Sequence, residues 1–255
     1  MNKKVYFALA VLVLAALACG INTVPTPTPT GQAPVIINPQ PTTGGGIVPQ
    51  PTTGGGIVPQ PTQDQSNGAL TVLFQDDFSN VNSGWDRSHN EYGSTDYENG
   101  GYRINVIQAN AFFFANPYKT FQNDVHIEVD ATKIGGPDDN AFGVQCRYQD
   151  VDNYYFFYIS SDGYTGIGID NAGTKTIISS SDGNLASDSN IIQGAATNHI
   201  RADCIGTSLT LYANGTQIAT ATDSTFTGGD VGVIAKTFTA AGTDILFKNF
   251  VVLKP

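Results

Sequence analysis

From about residue 69 onward, apolar and polar positions alternate with a period of two, the pattern of strands that bury one face. Across residues 123–134, Val125, Ile127 and Val129 fall on one side and His126, Glu128 and Asp130 on the other. Across residues 141–148, Phe142, Val144, Cys146 and Tyr148 oppose Gly143, Gln145 and Arg147. Across residues 198–204, Ile200, Ala202 and Cys204 oppose His199, Arg201 and Asp203. Residues 209–213 run into Asn214-Gly215, a strong hairpin signal, and residues 216–222 return. Residues 231–235 and 245–253 supply the last strands, and no window of a dozen residues carries a helical stripe. Short strands punctuated by turns in this way predict an all-β fold, an antiparallel β-sandwich over residues 69–255. That length suffices to bury a substantial core.

The N-terminal part follows another pattern. After the basic pair Lys3-Lys4, residues 5–18 form an uninterrupted apolar run of 14. A membrane-spanning helix needs roughly 20 such residues, so the run is short for a span and fits the core of a signal peptide over residues 1–18. Ala16-Leu17-Ala18 satisfies the small-x-small rule for cleavage, and with Cys19 it resembles the lipobox of bacterial lipoproteins, with Ala16 where Leu is usual. This implies lipid on Cys19 and a cell-surface protein anchored to the membrane; simple secretion is the alternative. Residues 19–68 then read as a tether. Pro-Gln-Pro-Thr-Thr-Gly-Gly-Gly-Ile-Val occurs at Pro39 and again at Pro49, and restarts at Pro59. Each repeat offers only Ile and Val to bury, while its prolines and glycines resist regular structure. Coil statistics give such a segment an end-to-end distance of roughly 35–40 Å.

Charge narrows the partners. Net charge is −10, and 22 acidic residues face 12 basic ones, two of which are Lys3 and Lys4. Such a surface repels phosphate backbones and excludes nucleic acid as a partner. The three cysteines are Cys19, Cys146 and Cys204. With Cys19 lipidated, Cys146 and Cys204 are left on the apolar faces of their strands. Export favours a disulfide between them, and two inert buried thiols are the alternative.

Several short motifs then carry a resemblance. Asp77-Phe78-Ser79 with Ser83-Gly84-Trp85, Gly143–Tyr148 followed by Asp152–Phe156, Leu209–Gly215, Val231-Gly232-Val233 and Phe247–Phe250 occur in this order. Together they resemble bacterial concanavalin A-like (laminin-G-like) jelly-roll domains across nearly the whole of residues 69–255. The resemblance implies two curved antiparallel sheets and one of three activities: carbohydrate binding, glycan cleavage or adhesion to another surface protein. Fold alone does not choose among them.

Glycosidases of that fold resemble one another in a Glu-x-Asp-x-x-Glu strand, whose first and last carboxyls act as nucleophile and acid. This chain has Glu128-Val129-Asp130-Ala131-Thr132-Lys133, with lysine at the acid position, and its other glutamates are Glu91 and Glu98 alone. A hydrolase or lyase would therefore use Glu128 and Asp130 with an unmarked partner. Sugar-binding relatives often hold Ca²⁺ near the chain ends, which marks Asp77 and Asp244 as candidate ligands. Aromatic rings stack on sugar faces. Trp85 and the run Tyr154-Tyr155-Phe156-Phe157-Tyr158 supply them, with one half of the run in the core. The candidate ligand-binding set is Trp85, Tyr155, Phe157, His126, Glu128 and Arg147. The expected partner is a polysaccharide or cell-wall glycan, and the only expected membrane contact is the lipid.

Overall fold

The computed structural model describes residues 70–255. The expected signal peptide, Cys19 and the tether lie outside the described residues. Among the described residues every regular element is a strand. In chain order these are β1 (Thr71–Asp76), β2 (Ser88–Asn90), β3 (Gly93–Glu98), β4 (Gly101–Val106), β5 (Phe112–Ala115), β6 (Val125–Gly135), β7 (Asn140–Asp150) and β8 (Asn153–Ile159). There follow β9 (Tyr164–Asn171), β10 (Thr174–Ile177), β11 (Ala186–Ser187), β12 (Thr197–Ile205), β13 (Ser208–Ala213), β14 (Thr216–Thr222), β15 (Asp230–Thr237) and β16 (Thr243–Lys254).

They form two antiparallel sheets. A nine-stranded sheet runs β14-β13-β12-β6-β16-β4-β3-β2, with β1 also on β16. A seven-stranded sheet runs β10-β9-β8-β7-β15-β5, with β11 also on β9. The expected alternation holds where it was clearest. Val125, Ile127 and Val129 of β6, and Ile200, Ala202 and Cys204 of β12, point between the sheets and meet Phe142, Val144 and Phe157 from the other side. Asn214 and Gly215 close the β13–β14 hairpin, both at positive φ (53° and 84°), which is the type I′ requirement.

Cys146 on β7 is bonded to Cys204 on β12, closing 58 residues and tying one sheet to the other. A cross-link over that span stabilises by about 2–4 kcal/mol. Trp85 belongs to the core rather than to a ligand surface. It is 4% exposed, its ring packs at 4.9 Å on Phe250 and 5.0 Å on Phe78, and Nε1 donates to Asp76 Oδ2 at 2.9 Å.

The alternation fails in one informative place. β7 carries a bulge between Cys146 and Asp150, with Arg147 at φ 51°. The extra residue re-phases the strand. Tyr148, expected on the Cys146 face, joins the opposite face instead. Arg147 is 4% exposed; Nη1 donates to the Phe226 carbonyl at 2.9 Å and Nη2 lies 3.4 Å from Asp124. It braces this end of the sandwich and is not available to a ligand.

Candidate functional site

The aromatic run on β8 divides by register. Tyr155 and Phe157 are fully buried between the sheets, so these two proposed ligand contacts are core residues. The Tyr155 hydroxyl is held there, 2.5 Å from Asp223 Oδ1. Tyr154, Phe156 and Tyr158 point the other way and form a second apolar cluster on the outer face of the seven-stranded sheet. Phe112, Phe114, Tyr148 and Ile234 join it.

That face is a trough. β10 and β5 are opposite edges of the sheet. A flat sheet would hold them roughly 24 Å apart at ordinary strand spacing. Yet Lys175 Nζ of β10 lies 4.4 Å from the centre of the Phe112 ring on β5. Glycines on the inside of the curve permit this closure. A Cβ on Gly168 would stand 2.1 Å from the Phe156 ring, and one on Gly232 would stand 2.8 Å from both the Asn116 and the Gln145 amide nitrogens.

At one end of the trough is a cleft of about 370 Å³ lined by Phe112, Phe114, Tyr118, Tyr148, Asp86 and Asp230. Tyr118 is 73% exposed and sits at φ 57°, a conformation that bulky residues rarely adopt. Its hydroxyl donates to Asp86 Oδ1. Strain of this kind persists where the surroundings impose it and gathers at ligand sites. Asp86 Oδ2 accepts the Asn116 N–H at 3.0 Å. Asp230 Oδ1 accepts N–H groups from Lys119 (2.9 Å) and Val231 (2.8 Å). Burial, with the Asp86 charge adding to it, raises the Asp230 carboxyl to about 6 despite those donors. Burial likewise raises the Tyr148 phenol. Beneath the cleft, Gln145 donates to Asn116 Oδ1 at 2.9 Å, while its own buried Oε1 has no partner among the described residues.

The adjoining cleft, about 340 Å³, is lined by Phe156, Tyr158, Lys175, Lys236, Leu185 and Phe238 among others. Lys175 pairs with Asp170, whose side chain is fully buried. Burial, and then the Lys175 charge, lower the Lys236 ammonium. The Tyr154 hydroxyl and Asp170 Oδ1 are buried, and among the described residues they have only each other.

His126 and Glu128 lie elsewhere, on the outer face of the nine-stranded sheet. His126 is 7% exposed and bonded through Nδ1 to Asp203, which also takes both Nε and Nη2 of Arg201 at 2.7 Å. His199 lies between Glu128 (3.5 Å) and Asp130 (2.8 Å), and Asn249 Nδ2 donates to Asp130 at 2.7 Å. The pair named for catalysis, Glu128 and Asp130, is therefore bridged by a histidine on the sheet that lacks the aromatic trough.

The calcium ligands do not meet. Asp76 pairs with Phe250 of β16, whereas Asp244 is the second residue of that strand, six positions or roughly 20 Å away. Asp244 is instead held by two bonds from Arg103, at 2.7 and 2.6 Å, and Asp77 accepts the Ser79 N–H. Asp77 and Asp244 thus do not fit one Ca²⁺ ion, and the described residues contain no cluster of three or more His, Cys, Asp or Glu able to hold a metal ion. A larger opening of about 600 Å³ lies beside Asp76 and Asp77, but both Asp76 oxygens are already engaged, by Phe78 N–H and Trp85 Nε1.

No family model matches the sequence, and no curated protein matches it. Solved structures do match in fold. Carbohydrate binding module CBM66 from Bacillus subtilis superposes with a TM-score of 0.54 at 17% identity, over 67% of this chain and 96% of that one. A Bacillus subtilis protein of unknown function with a galectin-like fold gives 0.51 at 13% identity, over 72% and 96%. A β-glucanase from Bacillus licheniformis gives 0.50 at 12% identity, over 71% and 97%. The domain is thus a concanavalin A-like jelly-roll sandwich, a fold shared by a carbohydrate-binding module and a glycan hydrolase.

Proposed function

We propose that the domain is a non-catalytic carbohydrate-binding module, held at the cell surface by lipid on Cys19 and carried outward by the tether. The observation that carries this reading is the cleft at Tyr118, Tyr148, Phe114, Asp86 and Asp230. Rings offer flat apolar area to a sugar face, and Asp230, whose N–H bonds from Lys119 and Val231 both go to Oδ1, keeps Oδ2 to accept a hydroxyl hydrogen at its edge. A few convergent polar groups set among aromatic walls are what a small-ligand site requires. The CBM66 likeness supports the reading at the level of fold, and the β-glucanase likeness shows why fold alone does not decide. Against cleavage at Glu128 and Asp130 stands their engagement with His199 and Asn249, away from the aromatic cleft.

The test is retention of the purified protein on a panel of insoluble polysaccharides, with reducing ends assayed in the same tubes. Retention without release of product is expected. Absence of retention on every polysaccharide overturns the reading, and steady release of product replaces it with an enzyme. The anchor is checked by the intact mass of membrane-extracted protein, where a Cys19 without lipid reduces it to secretion.

A further inference from the structure

We propose that the lysine cleft selects a glycan bearing a single anionic group, carboxylate or sulfate, on an otherwise neutral chain; this rests on the glycan-binding reading above. Positive charge is scarce on this protein. Acidic residues outnumber basic ones 22 to 12 in the whole chain. Arg87, Arg103, Lys133, Arg147 and Arg201 are each committed to a carboxylate. Two further basic residues nevertheless line one cleft from distant strands: Lys175 from β10, itself paired with Asp170, and Lys236 from β15.

Lys236 has no carboxylate within ion-pair distance among the described residues. Its Nζ lies 4.9 Å from the centre of the Phe238 ring, and burial and Lys175 both act against its charge. A partly desolvated ammonium beside a like charge is unfavourable unless an anion joins it. Solubility gives no reason to place it there in so acidic a protein. Asp170 holds Lys175 from below, so two ammoniums and one carboxylate leave one positive charge at the cleft. The neighbouring opening, past Asn184 and Leu185, is lined by Asp139 and Asp162, which would repel a second anion. At a net charge of −10 the protein also repels the further charges of a polyanion that come within the Debye length of about 8 Å of its surface. Phe156, Tyr158 and Phe238 supply the apolar wall against which the same sugar ring packs.

The experiment uses matched oligosaccharides: xylo-oligosaccharides with and without one glucuronic acid branch, and galacto-oligosaccharides with and without one sulfate. Binding is measured by calorimetry at 0.05 and 0.5 M salt. The acidic member of a pair should bind about tenfold more tightly at low salt, with the advantage shrinking at high salt. Lys236→Gln, a change at a partly exposed position with no ion pair to break, should erase the advantage, so that the variant binds the acidic and neutral members of a pair equally. Equal binding of both members overturns the proposal while leaving the glycan reading in place. So does a preference that survives Lys236→Gln. Failure of every oligosaccharide to bind overturns the proposal, and the glycan reading falls with it only where retention on the polysaccharide panel also fails.

Discussion

The two outer faces of the sandwich differ in how their polar groups are satisfied. The nine-stranded face is richer in side chains with chemistry: His126, Glu128, Asp130, His199, Arg201 and Asp203 all lie there. Those groups hold one another, however. His126 and Arg201 share Asp203, Arg201 also lies 4.7 Å over the Tyr212 ring, and His199 spans Glu128 and Asp130. The seven-stranded face has fewer charges and leaves them unfinished. Among the described residues Lys236 has no carboxylate within ion-pair distance and Gln145 Oε1 is buried without a partner, while the Tyr154 hydroxyl and Asp170 Oδ1, from residues paired across β8 and β9, have only each other. Buried polar groups are ordinarily paired, so such exceptions point to a missing component. On the reading proposed above, unmet valence marks the ligand's face, whereas a count of reactive side chains points to the other.

The largest expected effect separates the faces directly. Tyr148 is half-buried at the wall of the acid-aromatic cleft, with its ring 5.4 Å from Phe114 and 5.7 Å from Tyr154. Tyr148→Ala removes the stacking area and should weaken glycan binding by roughly 30-fold, about 2 kcal/mol. Glu128→Gln on the other face should change affinity by less than twofold. Isothermal titration of both variants measures the contrast. Comparable losses would erase the distinction between the faces.

A smaller effect, on stability, tests why the trough exists. Gly168→Ala places a methyl 2.1 Å from Phe156 Cζ and 2.8 Å from the Thr176 carbonyl. The ring must leave its place or the sheet must open, at a cost of about 1–3 kcal/mol in urea unfolding. Glu128→Ala, at a part-exposed position on the nine-stranded face, should stay within about 0.5 kcal/mol. Equal stabilities for the two variants would mean that glycine is not what lets this sheet curl.

These residues also show how far the sequence could be read. Period-two alternation was enough to place Val125, Ile127, Val129, Ile200, Ala202, Cys146 and Cys204 inside, because one buried face fixes strand phase, while the case for the Cys146–Cys204 bond came from the cysteine count and from export. It was not enough to choose between Tyr155 with Phe157 and Tyr154 with Phe156, since both halves of that run are aromatic and both are buried. A signal for the choice was present in Gly143, Gly166, Gly168 and Gly232. Glycine recurs on one face of three strands, β7, β9 and β15, which marks the inside of a curve where rings cross the backbone. The bulge at Arg147 left no such signal, and it moved Tyr148 onto the trough face. Asp86, Tyr118 and Asp230 come from three separate stretches of chain, and only the fold brings them together.

Asp230 carries the smallest and most specific test. Its side chain belongs to a residue only 8% exposed, set against Asp86, and its carboxyl is raised to about 6 from an ordinary value of 3.8, chiefly by burial. A folded-state pKa above the unfolded one means that the folded protein binds this proton more tightly. The resulting stabilisation is complete below about 3.8 and is lost as pH rises through about 6. The melting temperature of the wild type relative to Asp230→Asn should therefore fall between pH 5 and 7.5. Binding should move the other way. An ionised Asp230 is acceptor-only and receives a sugar hydroxyl, so affinity should rise over the same interval by less than tenfold, with a midpoint near 6. Asp230→Asn should flatten the profile, and Glu128→Gln on the nine-stranded face should leave it intact. A profile that keeps its midpoint in Asp230→Asn would place the titrating group elsewhere and remove the acid half of the cleft from the sugar's path.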